Sequence, residues 1–179
     1  KLNEQFGDPN GEVGIIVQGG LYNTLIRSLQ QFGAADAFGT PAVPLLVLNV
    51  TFPLVPEEVT AFCAGKRAVM IIEEGQPEYI EQEIATMLRR RDLNTALHGK
   101  DMMPAVGECT AEAMVDALGA FLGQYQSHPG VASARAWLDA NTELRQSVAG
   151  RLTEPLPGRP PSFCIGCPER PVFSALTLA

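Results

Sequence analysis

The chain has 179 residues, 46% of them hydrophobic and 18% charged, enough apolar material for one sizeable core. Twenty acids against thirteen bases leave a formal charge of −7, which argues against a nucleic-acid binder and against electrostatic docking on an anionic membrane. No uncharged run approaches the roughly 18 apolar residues that a membrane-spanning helix needs.

In chain order, the start at Lys1-Leu2-Asn3-Glu4 has neither an initiator Met nor the apolar stretch of a signal peptide. That points to a reducing cytoplasm, where the Asn49-Val50-Thr51 sequon stays idle. Residues 13–17 form a short β-branched run ending at Gly19-Gly20, and Leu21, Leu25, Leu29 and Phe32 follow at helical spacing. A second apolar run covers 44–50. Pro56 then opens a helix that stops at Gly65, with proline at the first helical position and glycine after the last. Residues 67–72 make a third strand, closed by Glu73-Glu74-Gly75. Pro77 starts a longer helix with Ile80, Ile84, Met87 and Leu88 on one face; acids lie near its start and Arg89-Arg90-Arg91 at its end, matching the helix dipole.

A weaker fourth strand falls near 95–99. Thr110 caps a helix running to about Leu122, and a further helix is expected over 131–148. From Gly150 onward Pro155, Pro157, Pro160 and Pro161 make a stiff linker. We therefore expect a domain over 1–150 and a tail over 151–179 leading into something else, the whole being a piece of a longer polypeptide. Strands apolar throughout, alternating with amphipathic helices, predict an α/β fold: a three-layer α/β/α sandwich with a mainly parallel sheet.

Few residues carry chemistry. Gly19 and Gly20, after a strand and before a helix, stand where doubly wound folds bind anions, although neither G-x-G-x-x-G nor a Walker lysine is present; a plain tight turn satisfies the same pattern. His98 and His128 lack metal-ligand spacing and a nucleophile partner, which assigns both to surface or structural roles. Glu73-Glu74 is either a site at a strand end or a cap for the next helix. Cys164 and Cys167 form C-x-x-C, half of a tetrahedral metal or cluster site, which Cys63 and Cys109 complete only if the tail folds back.

Arg159-Pro160-Pro161-Ser162-Phe163-Cys164-Ile165-Gly166-Cys167-Pro168-Glu169-Arg170 resembles the R-P-P-x-F-C-x-G-C-P-H-R motif of the indolepyruvate ferredoxin oxidoreductase family, within the thiamine-diphosphate-dependent 2-oxoacid:acceptor oxidoreductases. Pro53-Leu54-Val55-Pro56-Glu57-Glu58-Val59 with Ala68-Val69-Met70-Ile71-Ile72-Glu73-Glu74-Gly75 is similar to the corresponding segment of transketolase C-terminal-type domains. Gly99-Lys100 and Pro104-Ala105-Val106-Gly107-Glu108-Cys109-Thr110 look like the family's G-K…L-P-x-x-G-E-L-T, with Cys109 at the leucine position as a small core residue.

The resemblance implies a transketolase C-terminal-like domain over 1–150, followed by the start of a thiamine-diphosphate-binding domain. It implies a non-catalytic role, with no cofactor in this chain. Thiamine diphosphate, Mg²⁺ and a [4Fe-4S] cluster belong to the parent enzyme, where Cys164 and Cys167 help hold the cluster. Glu169 stands where the family has a histidine. The parent enzyme would decarboxylate an aryl 2-oxoacid oxidatively to its acyl-CoA and reduce ferredoxin. Its implied partners are other domains of the same polypeptide, a second copy in a homo-oligomer, ferredoxin and CoA, with no nucleic acid and no membrane. A phosphate- or CoA-binding module using the Gly19-Gly20 turn is the alternative reading.

Overall fold

A computed structural model of the chain describes residues 2–75, 77–152 and 170–178. The chain divides into two compact units, residues 1–142 and residues 143–179.

The first unit is built on a five-stranded sheet of order β1-β3-β2-β4-β5. Its strands are β1 (Glu4–Phe6), β2 (Val13–Gln18), β3 (Leu45–Leu48), β4 (Ala68–Ile72) and β5 (Ala96–His98). The four strands β2 to β5 run parallel, and β1 pairs antiparallel with β3 at the edge. Both β3 and β4 are buried along their whole length, as parallel strands covered on two faces must be.

Helices α1 (Tyr22–Gln31) and α4 (Ala111–Gln126) lie on one face, where Leu25, Leu29, Met114, Leu118 and Phe121 pack on Ile15, Val17 and Met70. The start of α5 (Val131–Ala149) joins this layer through Ala134, Trp137 and Leu138. Helices α2 (Pro56–Cys63) and α3 (Tyr79–Arg90) cover the other face, where Val59, Phe62, Ile80 and Ile84 meet Ile16, Leu46, Val69 and Ile71. The alternation of faces follows from the chain path. From β2 the chain steps to β3 on one side and then crosses back to β4 on the other, and right-handed crossovers in opposite directions place their helices on opposite faces. The three-layer sandwich expected from the hydrophobic pattern is thus present. The second unit contains the end of α5 and helix α6 (Arg170–Leu178).

The edge strand β1 is the element that the hydrophobic pattern does not announce. Glu4 and Gln5 are exposed and Phe6 is half-buried, so the strand exists through pairing with β3 rather than through its own apolar content. Asn3 next to it is buried. It donates to the Glu58 carboxylate at 3.0 Å and accepts from the Val50 amide at 3.1 Å, tying the N-terminal segment to α2 and to the end of β3.

Phe121 is fully buried and sits edge-on to His98 and tilted against Tyr125. Phe121→Ala should therefore cost about 3–5 kcal/mol in urea unfolding, whereas Leu144→Ala, at a largely exposed position, should change stability by less than about 0.5 kcal/mol.

Candidate functional site

In open parallel sheets, ligands bind outside the carboxyl ends of the strands where the winding reverses. Here that place is the end of β2 and β4, and it is bridged: the Gln18 side-chain carbonyl accepts from the Glu74 amide at 2.9 Å. Beside the bridge lies an open groove of about 750 Å³, lined by Gln18, Thr51, Phe52, Glu74, Tyr79 and Glu83 among others. Phe52 is 82% exposed and Tyr79 is 68% exposed, so the groove presents aromatic surface as well as carboxylates.

The Gly19-Gly20 turn borders an adjoining cleft of about 490 Å³ together with Asn49, Thr51 and Glu74. Gly19 to Leu21 form one 3-10 turn that leads straight into α1. A side chain on Gly19 would strike the Asn49 amide oxygen, whereas Gly20 has open space around its Cα. Among the described residues no lysine or arginine lines this cleft, and Glu74 places a negative charge in it. As an anion cradle it offers uncharged donors: backbone amides and the side chains of Asn49 and Thr51.

The motif residues converge on this same edge, where they hold backbone rather than ligand. The buried Glu73 carboxylate accepts from the amides of Ile80 (3.0 and 3.1 Å) and Glu81 (3.2 Å), which open α3. These are donors that a helix start otherwise leaves unpaired, and the negative charge suits the positive end of the dipole. Of the two readings open for Glu73, the cap is the one observed. Glu74 accepts from the Cys109 amide at 2.7 Å. Lys100 donates its ammonium to the carbonyls of Glu73 (2.6 Å) and Pro104 (3.4 Å), and its backbone amide to the Glu81 carboxylate at 2.9 Å. Gly99 is glycine because a Cβ there would overlap that same carboxylate. Thr110 caps α4 by accepting from the Ala113 amide at 3.3 Å. The signal for Lys100 in the sequence was the glycine before it; Gln18, ending a strand, carried none.

His98, at the end of β5, is held from both sides. Its Nδ1 lies 2.6 Å from the Asp101 carboxylate and its Nε2 lies 2.6 Å from the Tyr125 hydroxyl. The carboxylate can only accept, so Nδ1 carries the proton in the neutral ring and Nε2 accepts from the tyrosine. The Arg67 guanidinium covers the tyrosine ring 5.5 Å from its centroid. This chain of contacts stitches the edge strand to α4, a structural role. His128 accepts from the Gly130 amide at 3.1 Å and sets its ring edge-on to Phe32, also structurally.

Cys63 and Cys109 are buried free thiols in different layers: Cys63 packs with α2 and α3, and Cys109 with α1 and α4. The sheet stands between them, so the two cannot serve one metal ion. Burial pushes the Cys63 thiol up to about 12, and burial together with the neighbouring Glu74 charge raises Cys109. Both are therefore unreactive thiols at neutral pH. Cys164 and Cys167 lie outside the described residues. Among the described residues no group of three or more histidine, cysteine, aspartate or glutamate side chains could hold a metal ion, and no helix is long and apolar enough to cross a membrane.

No protein-family model matches the chain. Curated relatives do. The indolepyruvate oxidoreductase subunit IorA of Thermococcus kodakarensis is 31% identical over 173 residues, which are 97% of this chain and 24% of that protein. The Pyrococcus abyssi subunit is 30% identical over the same share, and that of Methanothermobacter thermautotrophicus is 27% identical over 183 residues, all of this chain and 25% of that protein. The chain is a homologue of the indolepyruvate oxidoreductase subunits. It spans about a quarter of their length. Among solved structures, a 2-oxoglutarate:ferredoxin oxidoreductase from Magnetococcus marinus superposes with a TM-score of 0.46 and 18% identity, over 67% of this chain and 19% of that one.

Two predictions follow from the geometry of this edge. Glu73→Ala strands the first amides of α3, and should lower stability by about 1–3 kcal/mol in chemical denaturation. Asp101 supplies a pH signature. Burial pushes its carboxyl up, but the His98 hydrogen bond and the Gly99 amide outweigh burial, and the group lies below its ordinary value of 3.8. A carboxyl depressed in the folded state contributes stability that is complete above the unfolded pKa and fades as pH falls through the folded one. The stability gap between wild type and Asp101→Asn should thus narrow as pH falls below about 4.

Proposed function

We propose that this chain is a non-catalytic middle domain of a thiamine-diphosphate-dependent indolepyruvate (2-oxoacid):ferredoxin oxidoreductase, in which an aryl 2-oxoacid is oxidatively decarboxylated to its acyl-CoA. The observation that carries the reading is similarity to indolepyruvate oxidoreductase subunits along 97% of the chain, while those subunits are about four times longer. The site chemistry supports a positioning role. Glu73, Glu74, Lys100 and Thr110 are spent on backbone groups of their own domain, and among the described residues no cluster that could hold a metal ion stands at the groove. What the groove offers outward is Phe52 and Tyr79 beside carboxylates, a surface suited to protein contact.

In this reading the chain works in the cytoplasm, assembled with other domains of its polypeptide and with a second copy. Ferredoxin and CoA act elsewhere in the enzyme. Cys164 and Cys167 ligate a [4Fe-4S] cluster only in the parent enzyme, because two thiolates leave such a cluster half-ligated. Thiamine diphosphate supplies the decarboxylation chemistry when bound there. The CoA-binding alternative is weakened by Glu74 and by the lack, among the described residues, of a basic side chain at the Gly19-Gly20 cleft.

Isothermal titration of the 179-residue chain separates the two. We expect no heat with thiamine diphosphate or with CoA, and no indolepyruvate turnover. Thiamine diphosphate affinity in the micromolar range would contradict the non-catalytic reading, and saturable heat with CoA would establish the binding module instead.

A further inference from the structure

At the opposite end of the sheet, a cavity of about 290 Å³ lies between the loop after β1 and helix α2, walled by Phe6, Gly7, Pro9, Pro44 and Phe62. Lys66 lines it too, although the residue is only 7% exposed. Its ammonium donates to the Pro9 carbonyl at 2.8 Å and stands 5.0 Å from the Phe62 ring centroid. An ammonium has three donors. Among the described residues the Pro9 carbonyl is its one hydrogen-bond acceptor, and no carboxylate forms an ion pair with it.

A lysine near a surface ordinarily extends its head into water. This one is drawn inward along a slot that the sequence provides. Gly14 lies inside β2, where glycine is unfavourable for a strand. A Cβ at that position would come within 3.0 Å of Lys66 Cδ and Cε and 2.9 Å of Phe62 Cζ. The glycine thus makes room for the lysine stem and the ring. The result is a desolvated cation that forms no ion pair among the described residues, Asp8 acting on it through its charge alone, at the wall of a partly apolar cavity. Such an arrangement costs free energy until an anion meets it.

We propose that this cavity binds a small organic carboxylate, with its apolar body among Phe6, Pro9, Pro44 and Phe62 and its carboxylate on the Lys66 ammonium. The volume sits at the lower end of the range for ligand pockets, about 300–1,000 Å³, and suits a single ring or short alkyl chain. Burial pulls the Lys66 amine below its ordinary range, against the pull of Cys63 and Asp8. A bound carboxylate would raise it again, so binding takes up protons and weakens as the amine titrates.

The test is amide NMR of the full 179-residue chain, titrated with sodium benzoate at constant ionic strength, with benzyl alcohol and sodium chloride in parallel. The expected result is saturable shifts at Gln5, Phe6, Gly7, Ala61, Phe62 and Lys66 with benzoate only, weakening at alkaline pH. Lys66→Met, which keeps the stem and removes the charge, should weaken binding by about tenfold or more. Gly14→Ala, which pushes into the stem, should weaken it as well. Equal shifts with benzyl alcohol, equal shifts with chloride (an adventitious ion only), or no saturation by about 10 mM benzoate would overturn the proposal. Unchanged affinity in a folded Lys66→Met variant would overturn it too.

Discussion

The buried Glu73 carboxylate is the interaction on which the carboxyl edge of the sheet depends. It ends β4, the strand buried along its full length, and grips the first amides of α3. Its own carbonyl receives Lys100, and Lys100 in turn links to Glu81 and Pro104. Its neighbour Glu74 fixes the segment entering α4 through Cys109, and the end of β2 through Gln18. Two adjacent glutamates thereby set the positions of a strand end, two helix starts and the loop between β5 and α4. A carboxylate that is both buried and fully used by amides is committed to structure. That commitment is why an edge resembling an enzyme site carries so little reactive chemistry.

The sheet acts as a partition as well as a scaffold. Cys63 lies on one side and Cys109 on the other, each among apolar side chains. The aromatic chain of His98, Phe121 and Tyr125 belongs to one layer, whereas Lys66 and Phe62 belong to the other, held where Gly14 opens the strand. Polar side chains in both layers are satisfied by specific partners, and among the described residues no buried side-chain nitrogen or oxygen lacks one. The Lys66 ammonium meets that standard through one carbonyl, which is less than its capacity.

Much of this was legible in the sequence. Uninterrupted apolar runs gave away β2, β3 and β4, and Pro56 and Thr110 marked the starts of α2 and α4, because burial on two faces and helix capping leave local signatures. Edge strand β1 left none, since its pairing with β3 is made by backbone groups and two of its three residues are exposed. The His98–Asp101–Tyr125 chain was equally silent: Tyr125 is distant in sequence, and only the packing of α4 on β5 brings the hydroxyl to the ring. The family-like motifs drew attention to the right edge. That they serve its architecture appears only once the hydrogen bonds of Glu73, Glu74 and Lys100 are seen together.

The central claim is that these residues build a supporting part of an indolepyruvate oxidoreductase. The most direct measurement is ferredoxin reduction by the purified polypeptide that contains this chain, in its assembled form and supplied with indolepyruvate, thiamine diphosphate and CoA. The account predicts turnover that vanishes when indolepyruvate or thiamine diphosphate is withheld, and that persists when Cys63 and Cys109 are both replaced by alanine in an assembly that remains folded. A folded, assembled polypeptide that reduces no ferredoxin with indolepyruvate, or that loses activity specifically with those two buried thiols, would contradict it.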